Sequence, residues 1–181
     1  MTIAETLAQL AAQKGITPSA DYKGIEEADD FIFAIQTDKA TQTEKAKWIV
    51  CADHVKEHSG ALNATTTDDT FIRTGPVTTK GSVQRTLSVN GNRCVGDAFQ
   101  DFVLSHAIKY GSGQNVIVPY LYFSVRTGKG ECGSASLIVT SDAGGSAGAA
   151  ATFALDVKAV GVPDDFDYTA ENHGSARCTN R

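Results

Sequence analysis

The sequence predicts a mainly β domain carrying one or two helices. Three observations point there. Short segments rich in β-branched and aromatic residues recur from Phe31 onward, separated by glycine-rich turns. Val83 to Val89 alternates strictly, with Val83, Arg85, Leu87 and Val89 against Gln84, Thr86 and Ser88, the period of a strand with two different faces. Helical spacing occurs only at the N-terminus and between Asp97 and Tyr110.

The first segment reads as a short amphipathic helix. Thr2 can cap it, Glu5 completes a capping box, Ile3, Leu7 and Leu10 share one face, and Gly15 stands past its end. Two to three turns are marginal alone, so this helix docks either on its own domain or on a neighbouring subunit. Asp21 to Asp30 is polar and acidic, which makes residues 1–30 a helix and arm. Phe31 to Ile35 and Trp48 to Ala52 read as strands. Cys51 to Thr70 shows no apolar period and reads as a long polar loop, the kind of connection that is usually functional or mobile. Phe71 to Thr74 opens a further β region that breaks at Gly75-Pro76, and Asn90-Gly91 supplies a turn signal after Val89.

Asp97 to Tyr110 predicts a single helix, with Asp97 as cap, Phe99, Phe102, Val103 and His106 on roughly one face, and Gly111 as terminator. Asn115 to Val125 follows as a strand. The Thr127-Gly-Lys-Gly-Glu131 turn then leads to two β segments, Ser134 to Ser141 and Ala149 to Gly161, around the small-residue loop Asp142 to Gly148. From Asp164 the chain turns acidic and aliphatic residues vanish. Residues 31–163 therefore form the β-rich domain and residues 164–181 an exposed arm.

At 181 residues and 41% hydrophobic content the chain suits one domain with arms or long loops. Its 16 basic against 21 acidic residues give a formal charge of -5, which argues against broad phosphate binding. No window approaches the roughly 20 apolar residues of a membrane span, and the N-terminus lacks a signal-peptide pattern, so the expectation is a cytoplasmic protein with no membrane partner. The four cysteines, Cys51, Cys94, Cys132 and Cys178, show no CxxC pairing and read as reduced thiols.

No motif carries chemistry. Cys51, His54 and His58 have metal-ligand spacing but lack a paired fourth ligand. Thr127 to Gly130 and Tyr110 to Gly113 match neither a P-loop nor a dinucleotide fingerprint. His106 has no nucleophile frame around it, and Asp68-Asp69 and Asp164-Asp165 sit in polar flanks. The reading is a non-enzymatic chain with no catalytic, cofactor or metal site. Its candidate subunit-interface residues are Ile3, Leu7, Leu10, Asp68 and Asp69.

The stretch FIRTGPVTTKGSVQRTLSVNGNR, the helix after it, the strand VPYLYFSVRTG, the TGKGE turn and the terminal β pair follow one another in a distinctive order. Over about residues 70 to 163 this order resembles the major tail tube proteins of long-tailed bacteriophages. The resemblance implies an antiparallel β-sandwich or barrel flanked by a helix, with subunits forming hexameric rings. Those rings would stack into a tube whose acidic lumen lets double-stranded DNA pass, without specific binding, during ejection. It further implies a virion tail location after a period in the host cytoplasm, with tape measure and terminator proteins as partners. Another tail component on the same scaffold, such as a terminator or distal-tail protein, and a small ligand-binding or enzymatic β domain remain open as alternatives.

Overall fold

A computed structural model describes residues 2–37 and 47–168. Helix α1 (Ile3–Lys14) has the expected ends. The Glu5 N–H donates to the Thr2 side chain, the Thr2 N–H donates to the Glu5 carboxylate at 2.8 Å, and Gly15 closes the helix at φ 63°. A left-handed residue at that position is what glycine permits at low cost.

Seven strands follow: β1 (Phe31–Gln36), β2 (Trp48–Val50), β3 (Val55–Phe71), β4 (Gly75–Asn92), β5 (Ile117–Ser124), β6 (Lys129–Gly144) and β7 (Thr152–Asp167). They form one antiparallel sheet in the order β2-β1-β5-β6-β7-β4-β3, so the mainly β, antiparallel expectation holds. The two outermost strands, β2 and β3, are consecutive in sequence and joined only by Cys51–His54. Laid flat, seven strands would hold these edges about 29 Å apart. The connection reaches at most about 18 Å. The sheet therefore curls until its edges approach, leaving a seam bridged by the crossover, whose His54 carbonyl accepts from the Asn92 N–H at the end of β4 at 2.9 Å.

The concave side encloses the larger core. Alternate residues of six strands point into it, among them Phe33, Leu87, Tyr120, Leu137 and Phe153, all buried. Two short helices between β4 and β5, α2 (Ala98–Val103) and α3 (His106–Lys109), add Phe99, Val103 and Ile108. Phe99 packs edge-on against Phe33 at 5.8 Å, a favoured aromatic geometry. On the opposite face Ile32, Ala34, Trp48, Val50, Leu121 and Phe123 form a second cluster, with Ile3, Leu7 and Leu10 of α1 half-buried over it. Strands β1 and β2 are thus covered on both sides, which is why FIFAI and WIV read as unbroken apolar runs.

Gln100 holds the seam. Its side chain is fully buried, its Nε2 donates to the carbonyls of Asp53 at 2.9 Å and Asn92 at 3.2 Å, and its Oε1 accepts from the Cys94 N–H at 2.7 Å. A second lock ties the N-terminal strap, Ile16 to Asp30, to the end of β5. The fully buried Asp30 carboxylate lies 3.0 Å from Arg126 Nε and accepts from the Glu27 N–H at 2.9 Å. Arg126 also stacks its guanidinium over Tyr22 at 5.5 Å. Burial pushes the Asp30 carboxyl up, but the Glu27 N–H and the Arg126 and Lys14 charges outweigh it and hold the group below its ordinary value.

Several local expectations are corrected. The segment from Cys51 to Thr70 is no loop: β3 occupies it from Val55, and it escaped notice because backbone pairing with β4, not a buried face, holds it extended. Asn90-Gly91 lies inside β4, and Gly91 is required there because a Cβ would stand 2.3 Å from the His54 carbonyl oxygen. The expected helix at 97–110 keeps its Asp97 cap, accepting from the Gln100 N–H at 2.8 Å, but breaks at Leu104 and Ser105, whose ψ of 6° and 154° depart from helix. Strand β6 begins at Lys129, inside the expected turn. Strand β7 runs to Asp167, so Asp164, Asp165 and Asp167 of the expected arm pair with Cys132, Glu131 and Lys129. The rest of that arm, beyond Tyr168, lies outside the described residues.

The core and its two locks carry three expected outcomes. Phe99→Ala should cost about 3–5 kcal/mol in urea unfolding, and Gln100→Leu about 2–4 kcal/mol because it strands three backbone groups. A loss below about 1 kcal/mol for Gln100→Leu would show that the seam holds without it. Because the folded Asp30 value is depressed, its stabilisation is fully present above the ordinary 3.8 and is lost as pH falls through the folded value. Wild-type stability should therefore drop more steeply than that of Asp30→Asn between about pH 5 and 3, as read by unfolding midpoints.

Candidate assembly interface

Strand β4 pairs with β7 only from Thr86 to Asn92, whereas its pairing with β3 continues out to Phe71 opposite Gly75. Beyond Thr86 the β3–β4 hairpin leaves the sheet as a two-stranded ribbon. From Ala61 to Phe71 it projects roughly 34 Å, and nearly every side chain on both of its faces is exposed. Cross-strand contacts trim it: Asn63 Nδ2 donates to Thr86 Oγ1 at 3.0 Å, and Thr78 Oγ1 donates to Asp68 at 2.7 Å. An isolated ribbon of this kind is at best marginally stable in water.

Its exposed apolar residues are placed unevenly. Near the root stands Leu62, 63% exposed, and around the tip stand Phe71, Ile72 and Val77, with Ile72 wholly in solvent. A bulge between Ala64 and Thr66 gives β4 an extra residue. Val77 therefore emerges on the face opposite Val83 and Arg85, beside Phe71.

Where the ribbon parts from β7 a fork opens. It holds a cleft of about 170 Å³ walled by Leu62, Val83 and Arg85 on one side and Glu131, Val162, Pro163 and Asp165 on the other. Arg85 Nε donates to Glu131 Oε1 at 2.7 Å and spans the fork. Its guanidinium also lies 5.6 Å above the Tyr122 ring, a further hold on its position. Tyr120 points its hydroxyl toward the same carboxylate at 3.5 Å, and burial, followed by the Glu131 charge, pushes that phenol well up. Both diverging strands carry a proline, Pro76 in β4 and Pro163 in β7, and proline removes a donor from a free edge.

The five expected interface residues fall into two places. Ile3, Leu7 and Leu10 lie on α1 against the chain's own second cluster, whereas Asp68 and Asp69 stand in the outer half of the ribbon. The structure does not bring the two groups together. Asp68 and Asp69, being adjacent on a strand, point to opposite faces and cannot act as an acid–base pair. The exposed apolar residues Leu62, Ile72 and Val162 were not among the expected interface residues, although the threonine-rich run TTTDDT followed by FIRTGP carries β propensity and a turn signal that mark the hairpin tip at Ile72.

The chemically suggestive residues are dispersed. Cys51 follows β2, with its thiol pushed up by burial and by the Asp97 charge. His54 sits in the crossover at φ 58°, and His58 Nε2 contacts the Ala28 carbonyl at 2.8 Å. Among the described residues no group of three or more histidine, cysteine or acidic side chains converges. His106 is exposed and leans on Tyr110, with ring centres 4.8 Å apart. Asp165 lies directly opposite Glu131, whose charge Arg85 already balances. The feature these residues leave in relief is the exposed ribbon and the fork at its root.

No protein-family model and no curated protein matches the sequence. Among solved structures the chain is similar to one in the virion of a native gene transfer agent particle, at 15% identity and a TM-score of 0.49 over 78% of this chain and 98% of that one. It is also similar to a chain in the tail of an empty gene transfer agent particle, refined with helical C6 symmetry. That likeness spans 80% of this chain and all of the other, at 17% identity and a TM-score of 0.50, and is one of fold.

Proposed function

We propose that the chain is a non-enzymatic structural subunit of a phage-like tail tube, assembling with copies of itself into rings of six that stack into a conduit. The observation that carries this reading is the β3–β4 ribbon, which buries almost nothing in its own domain yet keeps a long paired register. A ribbon so exposed gains stability only when another surface covers it. The fold shared with a chain from a C6-symmetric tail supports the same partner, a second copy.

Ring closure joins one patch on each subunit to a different patch on the next, and stacking repeats such contacts along an axis. In this reading Asp68 and Asp69 lie at the contact between rings, and α1 contributes the edges of Ile3, Leu7 and Leu10 that its own core leaves open. Tape measure and terminator proteins would meet the tube's ends, and the subunit would reside in the virion tail after waiting in the host cytoplasm. Double-stranded DNA would pass without specific contacts, consistent with a chain of net charge -5.

Concentrated purified protein should form tubes visible by electron microscopy, and a monodisperse monomer at every concentration and salt would overturn the proposal. Replacing residues 62–84 by a short glycine-serine turn should leave unfolding stability within about 1 kcal/mol while abolishing assembly. In the full chain, amide exchange over 61–71 and 75–85 should slow on assembly, while β1 and β5 change little.

A further inference from the structure

The ribbon's tip and its root carry complementary chemistry. At the tip Ile72 is wholly solvent-exposed, Phe71 is half-exposed, and Arg73 beside them has no ion pair among the described residues. At the root the fork cleft offers Leu62 and Val83 on one wall and Val162, 87% exposed, with Pro163 on the other. Asp165 stands at its rim. Glu131 across the ladder is matched by Arg85 at 2.7 Å, so the Asp165 carboxylate is the acidic group there with no cation bound to it among the described residues. An aliphatic side chain next to a cation faces an aliphatic cleft next to an anion.

These two surfaces cannot meet within one molecule. Nine strand steps lead from Leu62 to Phe71 in a paired ribbon, which holds tip and root roughly 30 Å apart. They can meet between copies, as a contact of unlike patches that repeats from one chain to the next. Resting on the tail-tube reading above, we propose that the ribbon tip of one copy docks in the fork cleft of a second, with Ile72 seated between Val162 and Leu62 and Arg73 against Asp165. The occupant of the cleft is thus this chain's own turn, and the fork is the receptor for it.

The test uses the full-length protein and follows the critical concentration for polymerisation by sedimentation and electron microscopy. Ile72→Ser should raise that concentration at least about tenfold. Arg73→Glu and Asp165→Arg should each raise it several-fold, and the double variant should return it to within about twofold of wild type. Added salt should erase the difference between the single charge variants and wild type. The substituted side chains are exposed, so unchanged thermal unfolding serves as the folding control. With p-benzoylphenylalanine at position 72, crosslinks in assembled protein should map to a peptide containing residues 160–165 or 83–85 of another copy. If wild type assembles but the charge swap fails to rescue, or crosslinks map elsewhere, the docking is wrong while the tail-tube reading stands. If wild type never assembles, that reading falls and the docking with it.

Discussion

The short crossover between β2 and β3 is the constraint on which the rest of the structure depends. A connection of this length cannot span an open seven-stranded sheet, so the sheet must curl, and curling converts one face into an enclosed core. Helix α2 is placed where it can fill that core with Phe99 and deliver the Gln100 amide to the seam. Sealing the seam orphans several backbone groups, and one buried side chain satisfies three of them. The hydrophobic cluster and the polar clasp are therefore coupled: neither forms without the curl, and the curl persists through both.

The sequence was most legible where physics acts locally or on both faces. The α1 capping box and Gly15 depend on neighbours in the chain, and Phe31 to Ile35 stands out because α1 and the curled core bury both of its sides. Strand β3 was illegible for the opposite reason. Its side chains meet water on both faces, so no period marks it, and the hydrogen bonds that make it a strand come from β4. Asn90-Gly91 misled because the glycine is needed for close approach to the His54 carbonyl and not for a turn. The break at Leu104 and Ser105 went unseen because Phe99, Val103 and His106 keep helical spacing across it.

The candidate interface was legible only in fragments. Asp68 and Asp69 were singled out for their charge, and they do stand on the projecting ribbon, but the neighbouring Ile72 and Arg73 were read only as part of a β region. A lone exposed isoleucine has no pattern of its own, and the cleft beside Val162 that the proposed docking pairs with it forms only in the folded chain. Ile3, Leu7 and Leu10 were recognised as one face of a helix, and the chain's own second cluster is what that face meets. The resemblance drawn from residues 70 to 163 concerned order of elements, and order is also what survives in a structural likeness at 17% identity.

The prolines on the two diverging edges bear on how a subunit waits. Free strand edges invite any passing strand, and a long exposed ribbon would ordinarily seed disordered aggregates. Here Pro76 and Pro163 each withhold a donor, Lys80 and the paired aspartates place charge along the ribbon, and threonine replaces larger apolar residues through its middle. The ribbon is thereby poor at joining its own kind edge to edge while its tip keeps Phe71 and Ile72 exposed. In the proposed assembly such a division would separate solubility from growth: subunits would accumulate without joining edge to edge and polymerise once a template offered the first receptor, so that nucleation and not chance encounter would set length.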